Sequence, residues 1–108
     1  MRKSDPICPA ELTLRYIGGR WKSVIWWHLK KDKKRFGELR KAIPKITQNM
    51  LTQQLRELER DGIVKRKVFP EVPLRVEYSL TDFGLTLKPV VNAMVRWGIE
   101  KDPGRWRT

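Results

Sequence analysis

The chain has 108 residues, room for one compact domain with its own core but not for a catalytic domain beside a regulatory one. Its 24 Lys and Arg oppose 12 Asp and Glu, a formal net charge of +12 that draws polyanions and makes nucleic acid the leading partner. No stretch approaches the roughly 20 apolar residues that span a bilayer, no basic helix has a broad apolar face, and the polar start Met-Arg-Lys-Ser-Asp-Pro lacks a secretory h-region; a cytoplasmic protein with no membrane partner is expected.

Five helices and one hairpin are predicted, a mainly α fold with a small β-hairpin (α+β), with no internal repeat or linker to divide residues 1–108. The first helix begins near Pro9, a good first-turn residue, and ends at Gly18-Gly19, turning Leu12, Tyr16 and Ile17 inward. The second runs from Arg20 to Lys30 with Trp21, Val24, Ile25 and His28 or Leu29 as its apolar stripe. A basic run from Lys30 to Arg35, interrupted by Asp32, leads into a short helix that buries Phe36, Leu39 and Ile43 and stops at Pro44.

The next helix spans Thr47 to Asp61, with Thr47 as N-cap, Leu51, Leu55 and Leu58 on one stripe, and Gly62 to end it. On its other face Gln48, Asn49, Thr52, Gln53 and Arg56 recur at helical spacing. The period then changes to two in Ile63–Phe69, Pro70-Glu-Val-Pro turns, and Arg75–Leu80 returns as a second strand. Thr81 caps a last helix with Phe83, Leu87, Val90, Val91, Met94 and Trp97 in a three-and-four rhythm and a kink at Pro89. The tail from Lys101 to Thr108 is polar and basic around Trp106, and part of it is expected to be mobile.

A short helix, a tight Pro-containing connection, a longer helix with a polar outer face and a basic hairpin follow one another in the order of a winged helix-turn-helix. The major groove, roughly 12 Å wide, admits such a helix, where Gln and Asn amides reach adenine edges and Thr methyls touch thymine. Thr47, Gln48, Asn49, Thr52, Gln53 and Arg56 are therefore the candidate reading residues. Lys45, Lys67 and Arg75, with the Lys30 to Arg35 run, are candidates for phosphate contacts that set orientation. The plainer alternative is a solvated helix face and a charged loop, but a basic hairpin directly behind the polar face favours readout. Five tryptophans read as core and dimer-interface mass in preference to stacking platforms for single strands.

Catalytic and metal chemistry find little support. Cys8 is the single cysteine and His28 the single histidine, too few for a disulfide framework or a zinc centre, and His28 has no nucleophile or carboxylate partner at suggestive spacing. The expectation is no enzyme, no cofactor and no metal. Cys8 precedes Pro9 at a helix start, where the dipole, Arg2 and Lys3 would favour a thiolate; the alternative is an idle thiol. A rival reading, a module that binds protein or bends DNA without choosing sequence, predicts weak discrimination and a steep salt slope.

Cys8-Pro-Ala-Glu, Ile17-Gly-Gly-Arg-Trp-Lys, Arg35-Phe-Gly-Glu-Leu, Ile46-Thr-Gln-Asn-Met-Leu-Thr-Gln-Gln-Leu-Arg-Glu-Leu, Asp61-Gly and Val76-Glu-Tyr-Ser-Leu-Thr occur in that order. Over roughly residues 8–98 this set resembles the HxlR-type family of winged-helix regulators. The resemblance implies a homodimeric regulator of transcription on double-stranded DNA, with the helix from Thr47 in the major groove, the hairpin near Arg75 as wing, and the first and last helices building the dimer. It also puts Cys8 where some members carry a sensor of oxidants, electrophiles or aldehydes. Two departures stand out: Asp32-Lys33 replaces a Gly-Pro-like turn, which implies a different turn because Asp tolerates the left-handed conformation less well than Gly. Trp26-Trp27 replaces smaller aliphatics, filling space that another member would use for ligand or interface packing.

Overall fold

The computed structural model describes residues 8–106, with side chains through residue 105. The elements are α1 (Pro9–Ile17), α2 (Lys22–Leu29), α3 (Phe36–Ala42), α4 (Gln48–Arg60), β1 (Val64–Phe69), β2 (Arg75–Leu80), α5 (Asp82–Leu85), α6 (Lys88–Lys101) and α7 (Pro103–Trp106). Arg2, Lys3, Thr108 and the Trp106 side chain, about which the sequence raised expectations, lie outside the described residues.

Local chemistry sets the boundaries of α4. The Thr47 hydroxyl accepts the Met50 N–H at 3.1 Å, meeting one of the unsatisfied donors of the first turn. At the other end Gly62 takes φ 79°, and two reversed hydrogen bonds, Gly62 N–H to Glu59 at 3.1 Å and Ile63 N–H to Leu58 at 2.9 Å, close the helix. Buried Ile63 and Leu58 complete that motif with an apolar contact. β1 and β2 pair antiparallel in the register Val64↔Leu80, Arg66↔Tyr78, Val68↔Val76. Lys34 and Tyr78 exchange backbone hydrogen bonds of 2.9 and 2.8 Å, so the chain before α3 adds a one-residue rung to β2.

The core runs through every layer: Ile17 from α1, Ile25, Trp26 and Leu29 from α2, Leu39 and Ile43 around α3, and Leu51, Leu55 and Leu58 from α4, closed below by Ile63, Val64, Leu80, Leu87 and Val91. The leucine stripe of α4 is buried as predicted. The α2 stripe is buried at Ile25 and Leu29 as predicted, but Trp21, Val24 and His28 are half-buried, and Trp26, outside the predicted stripe, is wholly buried. Leu12, expected to face inward, is 44% exposed, and Phe36 is half-buried against the core.

The predicted last helix is two helices. α5 stops at Leu85, and α6 begins at Lys88 with Pro89 in its first turn. A proline ring clashes with the preceding helical turn and lacks an N–H, so the chain breaks before Pro89 in place of the expected kink. Thr81 caps α5 as predicted, accepting the Gly84 N–H at 2.9 Å, and its hydroxyl also donates to the Gly62 carbonyl. In the tail, Pro103–Trp106 forms a further turn of helix. Among the described residues Lys45 alone of the non-glycines has positive φ, so Asp32 avoids the left-handed region; its carboxylate accepts the Lys33 N–H at 2.8 Å.

Candidate nucleic-acid interface

The leucine stripe turns the opposite face of α4 outward. Gln48, Asn49, Gln53 and Arg56 are exposed there and Thr52 is half-buried, its hydroxyl donating to the Gln48 carbonyl at 2.9 Å. Asn49, Thr52, Gln53 and Arg56 line a groove of about 610 Å³ with Glu57 and Arg60. A second cleft of about 400 Å³ lies between α4 and the hairpin, lined by Thr52, Leu55, Arg56, Glu59, Arg66 and Tyr78. Thr52 and Arg56 belong to both, so the two hollows are neighbours along the helix. Thr47 is engaged at the N-cap, at the helix edge.

Arg66 escaped the sequence reading, although alternation along β1 carries the signal. Val64 points into the core, so Arg66, two residues on, shares its face and reaches the α4 cleft. Lys67 lies on the opposite face, cross-strand from Glu77, with its ammonium 4.9 Å from the Phe69 ring centroid. Arg75 is on that side too. Its guanidinium donates to Glu71 at 2.8 Å and to Glu77 at 3.0 Å and stacks 3.7 Å from the Phe69 centroid, while its Nε is buried without a partner. The structure thus brings Gln48, Asn49, Thr52, Gln53 and Arg56 together on α4 and separates Lys67 and Arg75 from them.

Lys45 sits exposed in the turn between α3 and α4 at φ 72°. The basic run of the sequence splits in two. Lys33, Lys34 and Arg35 share a pocket with Asp32, Glu38 and Glu77, a balanced charge cluster. Lys30 and Lys31 meet Lys88 and Asn92 over Trp26 and Leu85, and Lys30 lies 3.0 Å from the Trp27 centroid. Burial, then the charges of Lys31 and Lys88, lowers the Lys30 ammonium below its ordinary value.

An ion pair ties α4 to α2. Lys22 is buried on α2, and its ammonium meets Glu57 of α4 at 2.8 Å; the other Glu57 oxygen accepts from the Gln53 amide at 3.2 Å. These hydrogen bonds, first from Lys22 and then from Gln53, hold the Glu57 carboxyl below the usual carboxylate range against the opposing effect of desolvation. Outside α4, several apolar side chains are left exposed: Leu12 and Leu14 on α1, Phe83 and Leu85 on α5, and Met94, Trp97 and Ile99 on α6. Trp27, Met94, Val95, Gly98 and Ile99 line a hollow of about 390 Å³. Cys8 is exposed at the α1 N-cap, its carbonyl accepting the Glu11 N–H at 2.8 Å.

Residues 16–103 match the model of the HxlR-like helix-turn-helix family. The chain belongs to that family. An HTH-type transcriptional regulator of Bacillus subtilis (strain 168), YdeP, is 60% identical over 91 residues, 84% of this chain and 71% of that protein. The solved structure of the redox regulator HypR in its oxidized form superposes with a TM-score of 0.84 at 56% identity, covering 87% of this chain and 97% of that one. The reduced form of the transcriptional regulator YodB from B. subtilis gives a TM-score of 0.77 at 40% identity, with 92% and 99% covered. This HxlR-like chain is therefore a DNA-binding transcriptional regulator of winged helix-turn-helix fold and not an enzyme. No helix among its described residues is long and apolar enough to cross a membrane.

Proposed function

We propose that the protein acts in the cytoplasm as a homodimer on an inverted-repeat operator, each subunit laying α4 in the major groove. The observation that carries this reading is the polar face of α4, where Gln48 is exposed, Asn49, Thr52, Gln53 and Arg56 line a groove, and Thr52 and Arg56 share the neighbouring cleft with Arg66. Amides and hydroxyls on one helical face match donor and acceptor patterns of base edges, whereas Lys45, Lys67 and Arg75 suit phosphates. For Arg75 that contact requires exchanging Glu71 for a phosphate oxygen. The exposed apolar side chains of α1, α5 and α6 support a second copy as partner, and a twofold axis would set the two reading helices about 34 Å apart.

Binding-site selection from a random duplex library at about 150 mM salt, which suppresses non-specific phosphate binding, tests the reading. The expected result is a symmetric inverted repeat, weakened by Gln53→Ala and by Arg75→Ala. A library that returns no motif overturns it in favour of an architectural or interaction module.

A redox or electrophile signal at Cys8 belongs to the same reading. It is supported by the exposure of Cys8 at the start of α1 and by the likeness to a redox regulator, HypR. Modification there changes the pairing of subunits and with it the spacing of the reading helices. Cys8→Ser is expected to abolish release from the operator by oxidant; unchanged release removes Cys8 from the mechanism.

A further inference from the structure

We infer that Glu57 is a positioning residue that orients the Gln53 amide, so that Gln53 selects adenine over guanine. This rests on the reading of α4 as the major-groove helix.

The argument is one of donors and acceptors. A glutamine amide has two N–H donors on nitrogen and two lone pairs on oxygen, and in isolation it flips freely between its two orientations. At position 53 it is not isolated. The Glu57 carboxylate one turn on has only acceptors to offer, so the amide nitrogen, and not the oxygen, must face it, as the 3.2 Å Nε2 to Oε2 hydrogen bond shows. One N–H is thereby used, leaving the carbonyl oxygen and one N–H for the groove. Adenine presents that complement, a donor at N6 beside an acceptor at N7, whereas guanine presents two acceptors, O6 and N7. A flipped amide would offer both N–H groups and read guanine instead.

Lys22 makes the arrangement tolerable next to DNA. A bare carboxylate in the groove would repel phosphates, but the Lys22 ammonium at 2.8 Å occupies Oε1 and cancels its charge, leaving Oε2 to Gln53. Glu57 thus has both oxygens engaged, one by Lys22 and the other by Gln53. Its carboxyl is held in the ionised form by those same two partners.

The test compares selected sites for the full-length wild type, Gln53→Ala and Glu57→Gln, with circular dichroism confirming that each is folded. Wild type is expected to require adenine at one position per half-site, by about tenfold or more over guanine. Gln53→Ala, at an exposed position, erases the preference there. Glu57→Gln keeps the side-chain volume but can donate as well as accept, so the Gln53 amide populates both orientations and the adenine-to-guanine ratio falls to about one to two. A structural role for Glu57 alone would lower affinity for all duplexes equally and leave that ratio unchanged. A wild-type motif in which Gln53→Ala relaxes no position, or in which Glu57→Gln retains the full ratio, overturns the inference while the proposed function stands; a wild type that selects no motif overturns both.

Discussion

The indole Nε1–H of Trp26 donates to the Gly84 carbonyl at 2.8 Å, joining α2 to the helix after the wing across 58 positions of chain. Gly84 is itself buried, its N–H on Thr81 and its Cα against the Ile63 backbone. Trp26→Phe keeps most of the apolar volume but removes that hydrogen bond, leaving the Gly84 carbonyl to backbone donors such as the Leu87 N–H at 3.2 Å, a loss expected to be about 0.5–1.5 kcal/mol. Gly84→Ala is worse, about 3 kcal/mol or above, because a Cβ would stand 2.2 Å from the Ile63 oxygen, an atom of backbone that cannot swing aside. Urea unfolding of both variants checks the order.

Acid should weaken the fold in two separate windows. Burial first, then the charge of Lys34, lowers the His28 imidazole below its ordinary value, so folding favours its neutral form. As pH falls past roughly 6.5 the unfolded chain takes up that proton first, and stability declines until the folded-state value is passed. Glu57 follows the same linkage in a lower window: its lowered value contributes stability that is present above the ordinary carboxylate value, roughly 4.3, and is lost as pH falls through the folded one. His28→Gln should flatten the upper window alone and Glu57→Gln the lower alone, read as urea midpoints between about pH 8 and pH 3.

On the proposed dimer, the exposed face of α6 is where subunits meet. Trp97 is 65% exposed and Met94 43% exposed in the single chain, more apolar surface than a solitary helix would leave to water. Trp97→Asp is expected to yield monomer by sedimentation velocity and to weaken operator binding by about tenfold or more, without lowering the unfolding midpoint of the monomer. A dimer that survives both Trp97→Asp and Met94→Asp would place the interface elsewhere.

Much of this was readable from the chain because it is local. The Thr47 cap, the leucine stripe and the Gly62 terminus of α4 depend on residues within one or two turns, and the hairpin depends on period two. The orientation of α2 was readable at Ile25 and Leu29 but not at Trp26, because Lys-Ser-Val-Ile-Trp-Trp-His-Leu is apolar on most sides and the Gly84 carbonyl that receives the Trp26 indole is distant in sequence. The Lys22–Glu57 tie and the rung between Lys34 and Tyr78 are likewise tertiary. Arg66 was within reach, since Val64 inward requires it, but charge drew attention to the more prominent lysine beside it.

The left-handed Lys45 carries a further consequence. Glycine would occupy φ 72° without the roughly 1–2 kcal/mol that a Cβ costs there, yet glycine has no ammonium to offer a phosphate. Lys45→Gly is expected to raise the melting temperature slightly while lowering DNA affinity and reducing the salt slope by about one. On the proposed phosphate contact, folding and binding would pull this position toward different amino acids. A descendant of this chain that drifted to glycine here would gain robustness and, unless a cation arose nearby, surrender part of its hold on the operator.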